Sequence, residues 1–227
     1  MESQLINDII RWDVKSWSKA LFYWDSNLDW SKINNALELG SNEGGLSLWM
    51  SLKGIKVICS DVNDVKKSAE PLHKRYQVDT RINYEDISAA MIPYENHFDV
   101  IIFKSIIGGI GRDDNYELQK KVFGEVYKAL KPGGKLLFAE NLIASPLHQF
   151  MRRRFIKWGN SWRYISSSEI KEMLSDFSRK EILTTGFLSA FGRNENQRNF
   201  FSKVDDYFFN KVTPEKWKYI CYGIATK

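Results

Sequence analysis

Cysteine and histidine are scarce in this chain of 227 residues, which has two of the first and three of the second. Cys59 and Cys221 both lie in apolar runs that read as strands, so buried thiols are expected rather than a disulfide framework. His73, His97 and His148 share no metal-ligand spacing, and no metal site is expected. A run of roughly 18 apolar residues, which a membrane-spanning helix needs, is absent. Met1-Glu2-Ser3-Gln4 has neither the basic nor the apolar segment of a secretory signal. The expected location is therefore the cytoplasm. With 14 glycines and 5 prolines beside 43% hydrophobic residues, the chain is neither fibrous nor disordered.

Positive charge is present but confined. Lys and Arg number 33 against 28 Asp and Glu, a net +5. Residues 141–168 alone hold Arg152, Arg153, Arg154, Lys157 and Arg163 with no acid, and the rest of the chain balances. A field so local suits a small anionic group or a membrane surface at least as well as nucleic acid, and DNA is not an expected partner.

The length suits one large α/β domain. After an aromatic-rich start with Trp12, Trp17, Trp24 and Trp30, short apolar runs alternate with helical patterns, as in βαβ units. Runs 35–39, 56–61, 80–84, 98–103 and 135–140 read as strands, with helices expected near 64–76 and 116–130. Lys131-Pro132-Gly133-Gly134 ends the second of these. Beyond the basic segment, Ser166-Ser167-Ser168-Glu169 forms a capping-box pattern, and runs 181–190 and 217–225 read as late strands suited to an antiparallel sheet edge. The expected organisation is a single domain over 1–227: an N-terminal helical cap (1–33), a ligand-binding half (34–140), a basic insertion (141–168) and a C-terminal half (169–227).

The most informative feature is a pair of strand ends. Gly40-Ser41-Asn42-Glu43-Gly44 turns the first strand into a helix and lets a ligand approach the backbone. Asp61, at the next strand end, is placed to hold two ribose hydroxyls. The spacing is Glu-x-Gly-x-x-x-Gly with Glu38 in front. A dinucleotide fingerprint is therefore excluded, since a carboxylate there repels a pyrophosphate and suits an ammonium. A phosphate loop is excluded by the lack of Gly-Lys-Ser/Thr.

On these residues the chain resembles the class I S-adenosylmethionine-dependent methyltransferases over roughly 37–140. Glu38-Leu39-Gly40-Ser41-Asn42-Glu43-Gly44 matches that family's first motif, with Asn42 where many members have glycine; asparagine tolerates the left-handed backbone required there. The resemblance implies S-adenosyl-L-methionine as cofactor and a Rossmann-like, doubly wound, mostly parallel seven-stranded sheet with an antiparallel edge strand and an N-terminal helical extension. It makes Asp61 the ribose-binding acid and Asp86-Ile87 the adenine-contacting pair, and extends the cofactor set to Val62 and Lys104.

For the acceptor, Phe103-Lys104-Ser105-Ile106 lacks the Asn/Asp-Pro-Pro-Tyr/Phe loop of many amino-group methyltransferases, and no cysteine nucleophile stands there. The insertion lies where this family builds its acceptor pocket, so Ser105, Arg152, Arg153, Trp158 and Tyr164 are expected to contact substrate. His148, four residues before Arg152 on a helical segment, is the expected general base, with Glu140 at the fifth strand end as the other candidate. His73 and His97 are expected to be solvated. The resulting reading is O-methylation of a small-molecule or sugar/glycan acceptor bearing an anionic group. A lipid-linked acceptor with peripheral membrane contact is one variant. An RNA methyltransferase and a non-catalytic S-adenosylmethionine-binding protein are the alternatives.

Overall fold

In the computed structural model, residues 2–156 and 161–227 are described. The apolar runs become β1 (Asn35–Leu39), β2 (Lys56–Asp61), β3 (Ile82–Asp86), β4 (Phe98–Lys104), β5 (Leu130–Asn141), β6 (Arg179–Thr185) and β7 (Ile220–Thr226). They form one sheet in the order β3-β2-β1-β4-β5-β7-β6. Neighbours from β3 to β5 are parallel, and β7 runs antiparallel to both β5 and the edge strand β6. This is the doubly wound arrangement expected. β4 shows why its centre is apolar on both faces: Val100 and Ile102 face one core, Ile101 and Phe103 the other, and all four are buried.

One face is covered by α1 (Ser3–Ile10), α2 (Val14–Asn27), α3 (Gly45–Ser51) and α4 (Val65–Arg75). The other carries α5 (Ile107–Ile110), α6 (Tyr116–Ala129) and α8 (Ser167–Met173), which starts with the expected Ser166–Glu169 capping box, while α7 (Pro146–Phe155) packs through His148 on Phe187, Phe191 and Tyr219. A further helix, α9 (Glu195–Val204), packs beside α2.

The N-terminal helices lie on a sheet face rather than its edge. Trp17, Leu21 and Trp24 are buried in the same core as Leu137, Ala139 and Ile224. Trp24 Nε1 donates to the Gly223 carbonyl at 2.9 Å. Other boundaries move for local reasons. A 3-10 turn over Asp79–Arg81 delays β3 by two residues. The Lys131-Pro132-Gly133-Gly134 turn is absorbed as an irregularity in β5, between the pairings Phe98–Leu130 and Val100–Lys135. β6 stops at Thr185 because Gly186 takes φ +79°. Cys59 and Cys221 are buried free thiols.

Candidate active site

In an open α/β sheet the ligand crevice opens outside the carboxyl ends of the strands where the winding reverses, here between β1 and β4. The Gly40–Gly44 turn follows β1 at this place. Gly40, Asn42 and Gly44 all take left-handed backbone, with φ of +61°, +51° and +75°. Asp61 Oδ2 accepts from Asn42 N (2.9 Å) and Oδ1 from Val62 N (2.7 Å), which fixes the carboxylate beside the turn. Val62 forms an exposed rim. Next along, Asp86 accepts from the backbone of Asp64 (3.2 Å) and Val65 (3.1 Å) at the start of α4, and the Ile87 side chain is buried.

Two expectations on this side are corrected. Glu38 is only 3% exposed, and its carboxylate accepts from Leu46 N (3.3 Å), Ser47 N (2.7 Å) and Ser47 Oγ (2.5 Å). It closes the first turn of α3 from within, so it does not present itself to a ligand's ammonium. Desolvation raises its pKa to about 7, against these lowering hydrogen bonds. His73 is fully buried, not solvated. Its Nε2 donates to the Gly44 carbonyl (2.9 Å) and Nδ1 accepts from the Tyr84 hydroxyl (2.8 Å), while burial lowers its pKa and keeps it neutral. A Cβ on Gly44 would stand 2.5 Å from the imidazole. The histidine is thus a prop under the turn. His97 is exposed as expected.

Across the switch point, Lys104 ends β4. Its ammonium lies 4.9 Å from the ring centroids of both Trp12 and Trp17, and burial lowers its pKa to about 8. Ser105 takes φ +58° and accepts from Asn141 Nδ2 at 2.7 Å. Glu140, wholly buried at the end of β5, accepts from Ile107 N (2.7 Å) and Asn141 N (2.8 Å). Desolvation raises its pKa to about 7, with Lys104 opposing.

His148 does not meet the requirements of a base. It is buried, Nε2 donates to the Phe187 carbonyl (2.8 Å), and Nδ1 is engaged by the Ser145 hydroxyl (2.7 Å). A neutral imidazole has one lone pair, and this one is taken. Burial also lowers its pKa to about 4. The ring anchors α7 to the Phe187 loop.

The insertion does enclose a cleft, about 330 Å³, beside the ends of β4 and β5. Arg152, Arg153 and Tyr164, the expected acceptor contacts, are among its lining residues. Arg152 stacks on Tyr164 (4.0 Å to the centroid) and donates to the Leu142 and Ile143 carbonyls, while Arg153 is exposed. Trp158 lies outside the described residues. Seven further lining residues are not among the expected site residues: Asp113, Asp114, Ile143, Gln149, Ser161, Trp162 and Arg163. Arg163 is spent on Asp114 and Glu169. Trp162 lies against Gly108 and Gly109, where a Cβ on Gly108 would stand 2.9 Å from the indole; the paired glycines were its signal.

The residues at β1 and β2 fit a nucleoside cofactor: left-handed backbone at the turn, a fixed acid beside it, and a buried Ser41 Oγ with no hydrogen-bond partner among the described residues. A family model described as a methyltransferase domain matches residues 37–138. Over these residues, which hold the glycine turn, Asp61, Asp86 and the end of β4, the chain is similar to methyltransferase domains. A curated relative, the ubiquinone/menaquinone biosynthesis C-methyltransferase UbiE of Wigglesworthia glossinidia brevipalpis, is 29% identical over 157 residues, 66% of this chain and 58% of that protein.

Among solved structures, the phosphoethanolamine N-methyltransferase 2 of Haemonchus contortus, in complex with phosphomonomethylethanolamine and S-adenosylhomocysteine, shares the fold. Its TM-score is 0.64 at 19% identity, over 93% of this chain and 52% of that one. An O-methyltransferase family protein from Burkholderia thailandensis has a TM-score of 0.64 at 11% identity, over 93% of this chain and 56% of that one. The chain spans little more than half the length of these proteins. Their names cover carbon, nitrogen and oxygen acceptors, so the shared fold does not select among them.

Proposed function

We propose that the protein transfers a methyl group from S-adenosylmethionine to a hydroxyl of a small molecule or glycan that bears an anionic group. The observation carrying this reading is the juxtaposition of two unlike sites along one row of strand ends. A glycine turn with a fixed acid lies at β1 and β2, and a cleft lined by Arg152, Arg153, Trp162 and Tyr164, with Asp113 and Asp114 also in its lining, lies at β4 and β5.

When bound, the cofactor supplies an electrophilic methyl carbon on a sulfonium sulfur. The chain supplies alignment and a base. Asp61 holds the ribose, and Gly40 and Gly44 let the cofactor lie against the backbone. Arg152, already ordered by Tyr164 and two carbonyls, and the exposed Arg153 hold the acceptor's anionic group. Glu140 takes the hydroxyl proton. Unlike His148, a carboxylate keeps lone pairs beyond those used by the Ile107 and Asn141 amides. Its raised pKa suits a base that works near neutral pH.

With Arg163 paired, the basic segment is less of a continuous nucleic-acid surface than its composition suggests. The outward face of α7 carries exposed Leu147, Phe150 and Phe155 beside Arg153 and Arg154, which is compatible with an acceptor carried by a lipid.

The test is transfer of isotopically labelled methyl from S-adenosylmethionine into a host lysate, separated into polar metabolites, lipids, nucleic acid and protein, with Asp61→Ala as control. Label in metabolites or lipids, lost in the variant, is expected. Label in nucleic acid overturns the acceptor class. No label despite measured cofactor binding points to a non-catalytic binding protein.

A further inference from the structure

We infer that Asp13, Trp17 and Lys104 form the pocket for the amino-acid end of S-adenosylmethionine, with Asp13 Oδ1 receiving the ammonium and Lys104 Nζ and Trp17 Nε1 receiving the carboxylate. This rests on the cofactor reading above.

Topology gives the direction. With the ribose at Asp61 on β2 and the adenine toward Asp86 on β3, the amino-acid end extends the opposite way along the row, across β1 to β4. Leu39 pairs with Phe103, so Gly40 and Lys104 leave the sheet side by side. The linker between α1 and α2 reaches the same place. Arg11 pairs with Glu43 of the glycine turn at 2.5 Å, and a Cβ on Gly45 would strike the Ile9 carbonyl, so the linker rests on the turn itself.

Among the described residues, two buried polar side-chain atoms of this segment, Asp13 Oδ1 and Trp17 Nε1, have no hydrogen-bond partner. Asp13 is 1% exposed and adopts a left-handed backbone at the start of α2. Its Oδ2 accepts from the Tyr219 hydroxyl, while its buried Oδ1 meets no donor; the nearby Ser16 hydroxyl donates instead to Ser189 Oγ at 3.1 Å. Trp17, four residues on and therefore on the same helix face, is fully buried with Nε1 unpaired. The Lys104 ammonium lies against both Trp12 and Trp17 and, among the described residues, makes no hydrogen bond or ion pair; Asp13, Glu140 and Glu38 are the carboxylates whose charge it feels.

Buried polar atoms are normally satisfied, so one acceptor and two donors left open together call for a ligand with the opposite set. An amino-acid zwitterion is such a ligand. Glu38, the residue expected from sequence to meet that ammonium, is committed to α3.

The experiment is calorimetric binding of S-adenosylhomocysteine and of 5′-methylthioadenosine, which keeps the nucleoside and sulfur but lacks the amino acid. The full chain is compared with Asp13→Asn, Lys104→Met and Trp17→Phe, each checked for folding by its melting curve. The expected result is that Asp13→Asn and Lys104→Met each weaken S-adenosylhomocysteine by about 10–100-fold, the loss of one charged hydrogen bond, and leave methylthioadenosine within about twofold. Trp17→Phe keeps the ring but not the N–H, and loses about fivefold for the first ligand only, as for a neutral hydrogen bond. Equal weakening of both ligands, or of neither, overturns the inference. If the unaltered protein binds neither ligand, the cofactor reading itself falls.

Discussion

The two ends of the ligand row are built on opposite rules. At β1 to β3 the carboxylates are committed: Glu38 to α3, Asp61 to the glycine turn, Asp86 to α4. At β4 and in the α1–α2 segment, Asp13 Oδ1, Trp17 Nε1 and the Lys104 ammonium have no hydrogen-bonding partner among the described residues. The first arrangement makes a rigid seat whose shape exists before any ligand. The second leaves interaction energy unspent until a polar ligand arrives. A charged residue near a cofactor is therefore a weak guide to contact. What separates a prop such as Glu38 from a ligand-binder is whether lone pairs and protons stay open toward the crevice, and the partly exposed Asp61, positioned by two amides, keeps such lone pairs.

The comparison breaks most sharply at Glu140 and His148. Glu140→Gln is expected to lower the rate of methyl transfer by about 10²–10⁴-fold, the usual contribution of a general base. In the unaltered protein kcat/KM should rise with pH and level off above about 7, where the raised carboxylate is ionised. His148→Gln, removing a ring that has no free lone pair, should leave that pH limb in place. Initial rates across pH 5–9 check both.

Next in size is the N-terminal cap. Trp24→Ala should destabilise the fold by about 3–5 kcal/mol, as for a fully buried tryptophan, read from denaturant unfolding. A negligible change would mean that α2 is a detachable lid and not part of the core. Asp61→Ala should weaken S-adenosylhomocysteine by about 10–100-fold, seen by calorimetry. The smallest effect is expected at Arg153→Gln. An exposed cation on the cleft rim should raise KM for the acceptor by about threefold with little change in kcat. A fall in kcat instead would place Arg153 at the reacting centre.

Much of the sheet was legible because its signals are local. β1 and β2 have the bounds that their apolar runs indicate, and the Ser166–Glu169 box caps α8 as its spacing requires. The glycine turn and Asp61 were legible because left-handed backbone and a strand-end acid leave marks in sequence. The site residues that moved were decided by distant partners. Glu38 depends on Ser47 and His148 on Phe187 39 positions away, and Asp13, which carries no signal in the sequence, is placed by Tyr219 206 positions away. His73 could have been found: Val65, Ala69, Leu72 and His73 share the buried face of α4, although Lys74 and Arg75 beside it suggest solvent.

The division between a cofactor seat and an acceptor side is tested most directly by measuring S-adenosylhomocysteine affinity and labelled-methyl transfer on the same preparations of the unaltered protein and Glu140→Gln. The account predicts that Glu140→Gln binds S-adenosylhomocysteine within about twofold of the original while transfer falls by at least about 100-fold. Loss of binding in proportion to loss of transfer would contradict it, because Glu140 would then be one more prop of the cofactor seat.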